Sequence, residues 1–383
     1  MSLDAARAVA DAVLYEGYLL YPYRATSSKN QVRWQFGVLG PRGAEAAGTG
    51  EASGLSMQCL LKTTDPGDAR VRIHVRFLQV QRRRTQRATD DAGAELVDVP
   101  ELTVGSARWL AWDEAVEVER SVEVSLDELR QGTSSAVDVH PGEDIEDVMD
   151  DTGAVAGRLI RQRWHVQATV SARAELVGDV WRLTVDVENQ GPAREPDKDD
   201  ALRRSLVGTH LLLEASGAAT GFVSVIDPPD EARSAAAGCQ QRRCWPVLAG
   251  PEGDDSLVLG SPIILYDHPE IANESAGALF DSTEIDEILT LRVMTMTDEE
   301  KAEARATDPR AAEIIDRCDQ MSPEQLQRLH GVLRDPHGAD RYSPDLFSDE
   351  KPWWDPDSEA AVDPQLDHVL VQGVRVAKDS LVR

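Results

Sequence analysis

The feature that most constrains the fold is a pair of alternating apolar patterns joined by one tight turn. Apolar side chains occupy every second position over residues 164–172 and again over 181–187. A period of two is typical of a β-strand with one buried and one solvated face. Between the two patterns, Gly178-Asp179 supplies the positive φ angle that a short hairpin turn requires. The sequence therefore predicts an antiparallel hairpin near the middle of the chain.

The same alternation recurs elsewhere, and no strand–helix–strand rhythm accompanies it. It predicts further strands over residues 32–38, 71–77, 116–124, 210–215 and 221–226. Antiparallel strands with one solvated face form sandwiches or barrels. The expected fold class is therefore mainly β (α+β), an antiparallel β-sandwich or barrel-like body with a short N-terminal helix at 3–14 and a late helical segment.

The length of 383 residues favours more than one domain. Capping-box patterns at 297–300 and 322–325 mark the late helices, and a stretch rich in proline and aspartate follows them. Because a lone strand cannot form a core, the last β element is expected to pair with the main body or to continue beyond Arg383. The expected regions are an N-terminal β-rich region (1–160), a central β-rich region (161–296), the helical segment (297–334), the linker (335–365) and the start of a further β element (366–383).

Charge and hydrophobicity exclude several classes of partner. Lys and Arg number 40 against 68 Asp and Glu, which gives a formal net charge of −28. Such a field repels nucleic acid and anionic membranes. No apolar run suits a membrane span or a signal peptide, and the four cysteines make no disulfide framework, so we expect a cytoplasmic protein without membrane insertion. The acidic run 143–151 is expected to be a solvated loop.

Residues 18–34, here called the aromatic–basic segment, combine tyrosines with a basic island in a chain that is only 5% aromatic. Two interpretations are open. Either the aromatic side chains fill the core, or the segment binds an acidic partner surface, because interface anchors are enriched in Trp, Tyr and Arg. A tryptophan pair in the linker has no evident core to enter and is a second candidate docking peptide. The candidate partner-binding residues are Tyr18, Tyr21, Tyr23, Arg24, Lys29, Asn30, Arg33, Trp353 and Trp354.

Cys239 and Cys244 form the sharpest candidate metal site. Two thiolates separated by four residues provide half of a tetrahedral zinc or iron–sulfur site, and the two arginines between them are expected to lower the thiol pKa values. The other half is missing, since only Cys59, Cys318 or a distant histidine is left to complete it. The alternative is a pair of ordinary loop cysteines, and no cofactor is expected.

A further cluster, Asp267-His268-Pro269-Glu270, places an imidazole between two carboxylates. These groups suit general acid–base catalysis, but the same residues are typical of a turn that Asp267 caps. No nucleophile elbow, phosphate-binding loop or zinc-binding helix motif accompanies them. The sequence therefore predicts no catalytic residue.

Two parts of the chain resemble a known family. They are Tyr15-Glu-Gly-Tyr-Leu-Leu-Tyr-Pro-Tyr-Arg24 with Lys29-Asn30 and Arg33-Trp34, and Ser261-Pro-Ile-Ile-Leu-Tyr-Asp-His-Pro-Glu270 with the acidic stretches of 279–301. Together they resemble an uncharacterised bacterial family, largely actinobacterial, whose members are often encoded beside uptake NiFe-hydrogenase genes. The resemblance implies an accessory, assembly or scaffolding role for a metalloenzyme, and it transfers no catalytic residue.

The expected function is that of a non-catalytic accessory protein that binds another protein. The resemblance implies that this partner is a NiFe-hydrogenase subunit or maturation factor. Two alternatives stay open: a metal- or thiol-dependent enzyme or metal carrier that uses Cys239 and Cys244, and a structural interaction module unrelated to hydrogenase.

Truncation tests whether the aromatic–basic segment binds the partner. Tyr23→Ala and Arg24→Ala are expected to weaken partner pull-down by roughly tenfold or more, because truncating an interface anchor costs about 2 kcal/mol. Their melting temperatures should change little, whereas Trp34→Ala should lower the free energy of unfolding by about 3–5 kcal/mol if its side chain is core. Early melting with normal binding by the first two variants would make the segment structural.

Overall fold

The computed structural model describes most of the chain up to residue 270 and short stretches beyond it. The described residues are 2–19, 36–89, 95–192, 197–270, 296–306, 312, 315–316, 319–320, 368–371 and 374–377. The chain divides into two compact units, 1–330 and 331–383. The finer division into five regions stays a prediction.

Antiparallel strands dominate the structure, which confirms the mainly β fold class. The strands of the first unit are β1 (Gly54–Lys62), β2 (Arg70–Ala88), β3 (Leu96–Val99), β4 (Glu101–Val104), β5 (Ala107–Leu110), β6 (Trp112–Ser125), β7 (Thr133–Val139), β8 (Gly142–Met149), β9 (Val155–Arg163), β10 (Val166–Val177), β11 (Val180–Asn189), β12 (Leu206–Ser216), β13 (Gly221–Val223), β14 (Trp245–Leu248) and β15 (Leu257–Ser261). Its helices are α1 (Ser2–Leu19), α2 (Leu126–Gln131), α3 (Lys198–Arg203), α4 (Arg233–Ala237) and α5 (Asp298–Arg305). No helix among the described residues is long and apolar enough to cross a membrane.

Two sheets face each other across the main hydrophobic core. One contains five strands in the order β13-β1-β11-β10-β7, and the other follows the path β14-β15-β12-β2-β9-β8, with β3 and β6 also paired to β2. Inward-facing residues of both sheets form one cluster, including Met57, Phe77 and Val185, which are fully buried. The body is therefore a β-sandwich, and no described sheet closes into a barrel.

The predicted central hairpin is present in the five-stranded sheet. β10 pairs with β11 in the antiparallel sense as far as Val177 and Val180. The turn lies at Gly178-Asp179, where the glycine has a φ of +63°. Glycine adopts such an angle without steric cost, which explains why the chain reverses its direction at this point.

β2 is longer than the sequence predicts and organises the larger sheet. It pairs with β6 along one edge over 70–83, and along the other edge it pairs first with β12 and then with β9. The apolar alternation ends at Phe77, but the strand continues through a basic run because neighbouring strands provide polar partners. Gln81 and Arg83, for example, both bond to Glu114 of β6.

The acidic run 143–151 is not a solvated loop, because most of it forms β8. Opposite charges across a strand pair stabilise the pair, and β9 supplies the matching arginines. The hydrogen bond from Arg163 holds the pKa of the Asp144 carboxyl below its usual range. The cross-strand ion pairs are Asp144–Arg163 at 2.6 Å, Glu146–Arg161 at 2.7 Å and Asp147–Arg158 at 2.6 Å.

Phe36 and Gly37 form a turn, so the strand predicted over 32–38 is wrong at this end. The turn packs against a bulge in β12. A Cβ on Gly37 would lie 2.8 Å from the Thr209 carbonyl oxygen, and the φ angle is +62°, so both space and conformation require glycine. Residues 32–35 lie outside the described residues.

The second unit contains two described strands, β16 (His368–Val371) and β17 (Val374–Ala377). They pair with each other in the antiparallel sense. The predicted β element at the end of the chain is therefore a hairpin and not a lone strand.

A partly buried charged layer joins α1 to the outer face of the larger sheet. Arg7 and Asp11 of α1 pair with Glu119 at 2.9 Å and with Arg76 at 2.5 Å. Arg76 also contacts Glu119 at 3.1 Å, and a ring nitrogen of His74 lies 2.9 Å from the same carboxylate. The helix is thus fixed by ion pairs as well as by its apolar face, which packs on β12 and β15.

His210 of β12 lies beside this layer and is fully buried. Its Nδ1 is 2.9 Å from the Gly208 carbonyl oxygen, which only accepts, so Nδ1 carries the proton and Nε2 faces Arg76. Burial, reinforced by the positive charge of Arg76, lowers the pKa of His210 to about 4. The folded protein therefore keeps this imidazole neutral.

We expect the free energy of unfolding to decrease as the pH falls from about 6.5 to about 4. In this window the unfolded chain protonates His210 but the folded chain does not. The contribution of this group falls by at most about 1.4 kcal/mol per pH unit. Urea titrations across the window measure the slope, and His210→Gln should make it shallower. Equal slopes in the two proteins would contradict the assignment.

Candidate functional site

A cleft of about 910 Å³ opens where several distant segments of the first unit meet. Its volume is within the range of clefts that bind ligands. β2, β6 and α3 contribute to the lining, together with the turn that begins at Phe36 and the chain around β14. The charged lining residues are Glu51, Arg82, Arg83, Asp113, Lys198, Asp199, Arg203 and Arg243, and the aromatic ones are Phe36, Trp112 and Trp245.

A buried ion pair fixes Arg83 in the lining. Its Nη1 lies 2.5 Å from Glu114 Oε1, and both side chains are almost fully buried. Arg83 also donates from Nε to the Leu110 carbonyl oxygen at 2.9 Å and from Nη2 to that of Ala306 at 2.8 Å. Glu114 accepts a further bond from Gln81. Both charges therefore have the hydrogen-bond partners that a buried pair needs.

Arg203 of α3 is held between two carboxylates and an aromatic ring. Its Nη2 lies 3.0 Å from Asp113 and 3.5 Å from Asp199. The guanidinium carbon is 5.4 Å from the centroid of the Trp164 ring, a distance typical of a cation–π contact. Both lining carboxylates near α3 thus pair with the same arginine.

Arg243, just before β14, connects that part of the chain to the lining segments around Val38 and Glu51. It donates from Nη1 to the Ala52 carbonyl oxygen at 2.9 Å and from Nη2 to that of Val38 at 2.6 Å, and it lies 3.5 Å from Glu51. Its φ angle of +61° is in the left-handed region, which costs a non-glycine residue roughly 1–3 kcal/mol. These contacts hold the residue in that conformation.

The remaining positive charge of the lining belongs to Arg82 and Lys198. Both side chains are exposed. Neither forms an ion pair with a residue in the part of the chain that the structure describes. Arg203 and Arg243 carry two positive charges against the three acidic lining residues with which they pair, and Glu114 offsets Arg83. Arg82 and Lys198 therefore make the net charge of the cleft positive.

Most residues that the sequence predicts to bind a partner lie outside the described residues. Only Tyr18 belongs to a described element, α1, and its side chain is not described. Their role stays a prediction. The residues outside the description are Tyr21, Tyr23, Arg24, Lys29, Asn30, Arg33, Trp353 and Trp354.

The two candidate metal-binding thiols have different surroundings. Cys244 is fully buried in the sandwich core, whereas Cys239 is half-buried and directs its thiol to the Ala235 carbonyl oxygen at 3.5 Å. Burial raises the pKa of both thiols. The expectation that Arg242 and Arg243 lower these pKa values is therefore wrong, because desolvation of the thiols has the larger effect. Metal binding by the pair stays a prediction.

Asp267 and His268 hold a turn together. Asp267 accepts hydrogen bonds from the Ser224 hydroxyl and from the Leu248 backbone at 2.8 Å. His268 has a φ of +54°, and its Nδ1 lies 3.2 Å from the Gly250 carbonyl oxygen. These contacts agree with the turn interpretation of the cluster.

The cleft leaves no pattern in the sequence, because its lining residues are distant from one another along the chain. The only local signal was the presence of Trp112 and Trp245 at the first positions of two strands. Strand ends are where chain segments converge on an opening, but the pattern alone does not say which ends meet.

No protein-family model and no curated protein matches this chain.

Removing the buried carboxylate beside the cleft should destabilise the fold. Glu114→Ala leaves Arg83 as an uncompensated buried charge, so we expect the free energy of unfolding to decrease by about 3–5 kcal/mol in urea titration. Glu123→Ala is the matched control, because Glu123 lies on the same strand and its pair with Arg72 is half-exposed. That variant should lose at most about 1 kcal/mol. Similar losses in both would show that the Arg83 pair has no special role.

Proposed function

We propose that this chain is a non-catalytic accessory protein whose cleft binds an acidic segment of a partner protein. The observation that carries the proposal is the charge of the lining. Five basic and three acidic side chains line the cleft, whereas the whole chain has a net charge of −28. A positive opening in a negative protein attracts negative ligands and disfavours others.

Arg82 and Lys198 are the groups that would meet the carboxylates of the partner. The other three lining cations already pair with Asp or Glu of the same chain. Charges at the edge of an interface mainly increase the association rate and select the charge of the partner. Salt should therefore weaken the binding.

Aromatic side chains would supply the apolar contacts. Phe36 is 39% exposed, and Trp112 and Trp245 are partly exposed. Binding energy in protein interfaces concentrates on Trp, Tyr and Arg side chains in pockets. A segment with carboxylates and at least one large apolar side chain therefore fits the lining best.

The lining favours binding over catalysis. Among the described residues, the lining contains no histidine and no cysteine, and each of its carboxylates pairs with an arginine. A general base or nucleophile needs a side chain free to accept a proton or to attack the substrate. The thiol alternative is disfavoured because burial raises the pKa of Cys239 and Cys244 and keeps both protonated.

The family resemblance extends the proposal to a NiFe-hydrogenase subunit or maturation factor as the partner. The four cysteines without a disulfide framework extend it to the cytoplasm as the location. Sequence position adds a link to the aromatic–basic segment, which ends at Trp34, two residues before Phe36 of the lining. The two candidate binding regions are therefore neighbours along the chain.

Charge reversal in the cleft tests the proposal. The probe is a fluorescently labelled peptide of alternating Glu and Trp residues, with a Lys/Trp peptide as its charge-reversed counterpart. In fluorescence anisotropy the native chain should bind the acidic peptide, and Arg82→Glu combined with Lys198→Glu should weaken this binding by roughly tenfold or more.

Arg233→Glu is the matched control, because Arg233 is an exposed arginine on α4 that does not line the cleft. It should bind the acidic peptide nearly as the native chain does. Equal losses in the control and the cleft variant, or equal binding of the Lys/Trp peptide, would refute the assignment of this cleft.

A further inference from the structure

Two histidines and an aspartate lie together on the outer face of the five-stranded sheet. β7 and β10 are neighbours, with Val139 opposite Val166 and Asp138 opposite Gln167. Val139 and Val166 are buried in the sandwich core. Because side chains alternate along a strand, Asp138 points away from the core. His140 lies two residues after Asp138 and His165 two residues before Gln167, so both histidines lie on the same outer side.

The ligand atoms of these three side chains converge. His165 Nε2 lies 2.6 Å from Asp138 Oδ1, and His140 Nδ1 lies 4.0 Å from the same oxygen. All three ligand atoms lie within 4.8 Å of one another. The two imidazole rings are nearly parallel, with an interplanar angle of 16° and centroids 6.0 Å apart. In the described part of the chain, this is the only such group of three.

The spacing is close to that of a tetrahedral metal site. Zinc bonds of about 2.0–2.2 Å to nitrogen and oxygen place neighbouring ligand atoms roughly 3.3 Å apart. Shifts of about 1 Å bring the three atoms to this separation, and the side chains have room to move because His140 is 85% exposed. The bond between His165 and Asp138 holds two of the ligands together in the absence of an ion.

We propose that Asp138, His140 and His165 bind a divalent transition-metal ion, with Zn²⁺ as the best match. Two imidazoles and one carboxylate suit Zn²⁺, whereas Mg²⁺ and Ca²⁺ prefer oxygen ligands alone. Three protein ligands leave a fourth position for water or for a donor from another molecule. None of the three residues lines the cleft, so this site is separate from the proposed partner-binding function.

Gln167 gives the site an outer contact. It lies directly opposite Asp138 across the strand pair, so its side-chain amide is a neighbour of that carboxylate on the outer face. Contacts of this kind orient metal ligands, and their loss typically weakens metal binding by about 10–100-fold. Removal of the ligands themselves should therefore cost at least as much.

Titration calorimetry with Zn²⁺ tests the proposal in the full-length chain. The background carries Cys239→Ser and Cys318→Ser, so that neither the half-buried thiol of Cys239 nor that of Cys318 contributes. We expect about one Zn²⁺ per chain and no comparable binding of Mg²⁺. His140→Ala combined with His165→Ala should weaken Zn²⁺ binding at least about tenfold, and Asp138→Asn should weaken it as well.

Asp186→Asn is the charge-matched control. Asp186 lies in β11 of the same sheet, between Val185 and Val187, which are buried. This variant should bind Zn²⁺ like its parent. Circular dichroism without metal should be the same for all variants, and His140→Ala alone serves as the test if the double variant does not fold.

Cobalt provides a spectroscopic check of the ligands. Co²⁺ bound to imidazole and carboxylate should give visible absorption bands without a thiolate-to-cobalt charge-transfer band. No Zn²⁺ binding by the parent, unchanged binding by the histidine variants, or a thiolate band would overturn the proposal.

Discussion

The course of β2 determines how the larger sheet and the cleft are arranged. Up to Phe77 the inward face of the strand is apolar and enters the sandwich core. Beyond this point the same face carries Gln81 and Arg83, which are buried but polar. On the opposite face, Leu78 and Val80 pack in a small apolar cluster before Arg82 reaches the cleft. One strand therefore connects the hydrophobic interior to the charged opening.

Ion pairs of arginine side chains connect many of the strands and helices in this acidic protein. Arg83 is neutralised by Glu114 in the interior, Arg161 and Arg163 join β9 to the acidic β8, and Arg203 pairs with the carboxylates beside the cleft. A bidentate, permanently charged guanidinium suits such roles better than an ammonium group. Because most lining charges are satisfied within the chain, the few that are not define what the cleft attracts.

Sequence patterns predicted the fold well wherever one face of an element is buried in an apolar core. The hairpin of β10 and β11 and the helix α1 were found because their hydrophobic periodicity is simple. The prediction failed for β8 and for the second half of β2, which have no apolar alternation. These strands form because ion pairs and polar hydrogen bonds satisfy their side chains across the sheet. Such a partnership involves residues that are distant along the chain and leaves no local signal.

The candidate sites show the same division. The sequence by itself determined the β class, the central hairpin turn at Gly178-Asp179 and the strongly acidic charge, because these depend on local periodicity, on glycine and on composition. Only the tertiary structure placed His140 beside His165 and brought Arg82 and Lys198 to one opening, since strand register and sheet order decide which distant residues meet. The tertiary structure also decided which side chains are buried. Burial raises the pKa values of Cys239 and Cys244, whereas the neighbouring arginines were expected to lower them. The reason is that desolvation depends on the atoms that surround a group in space.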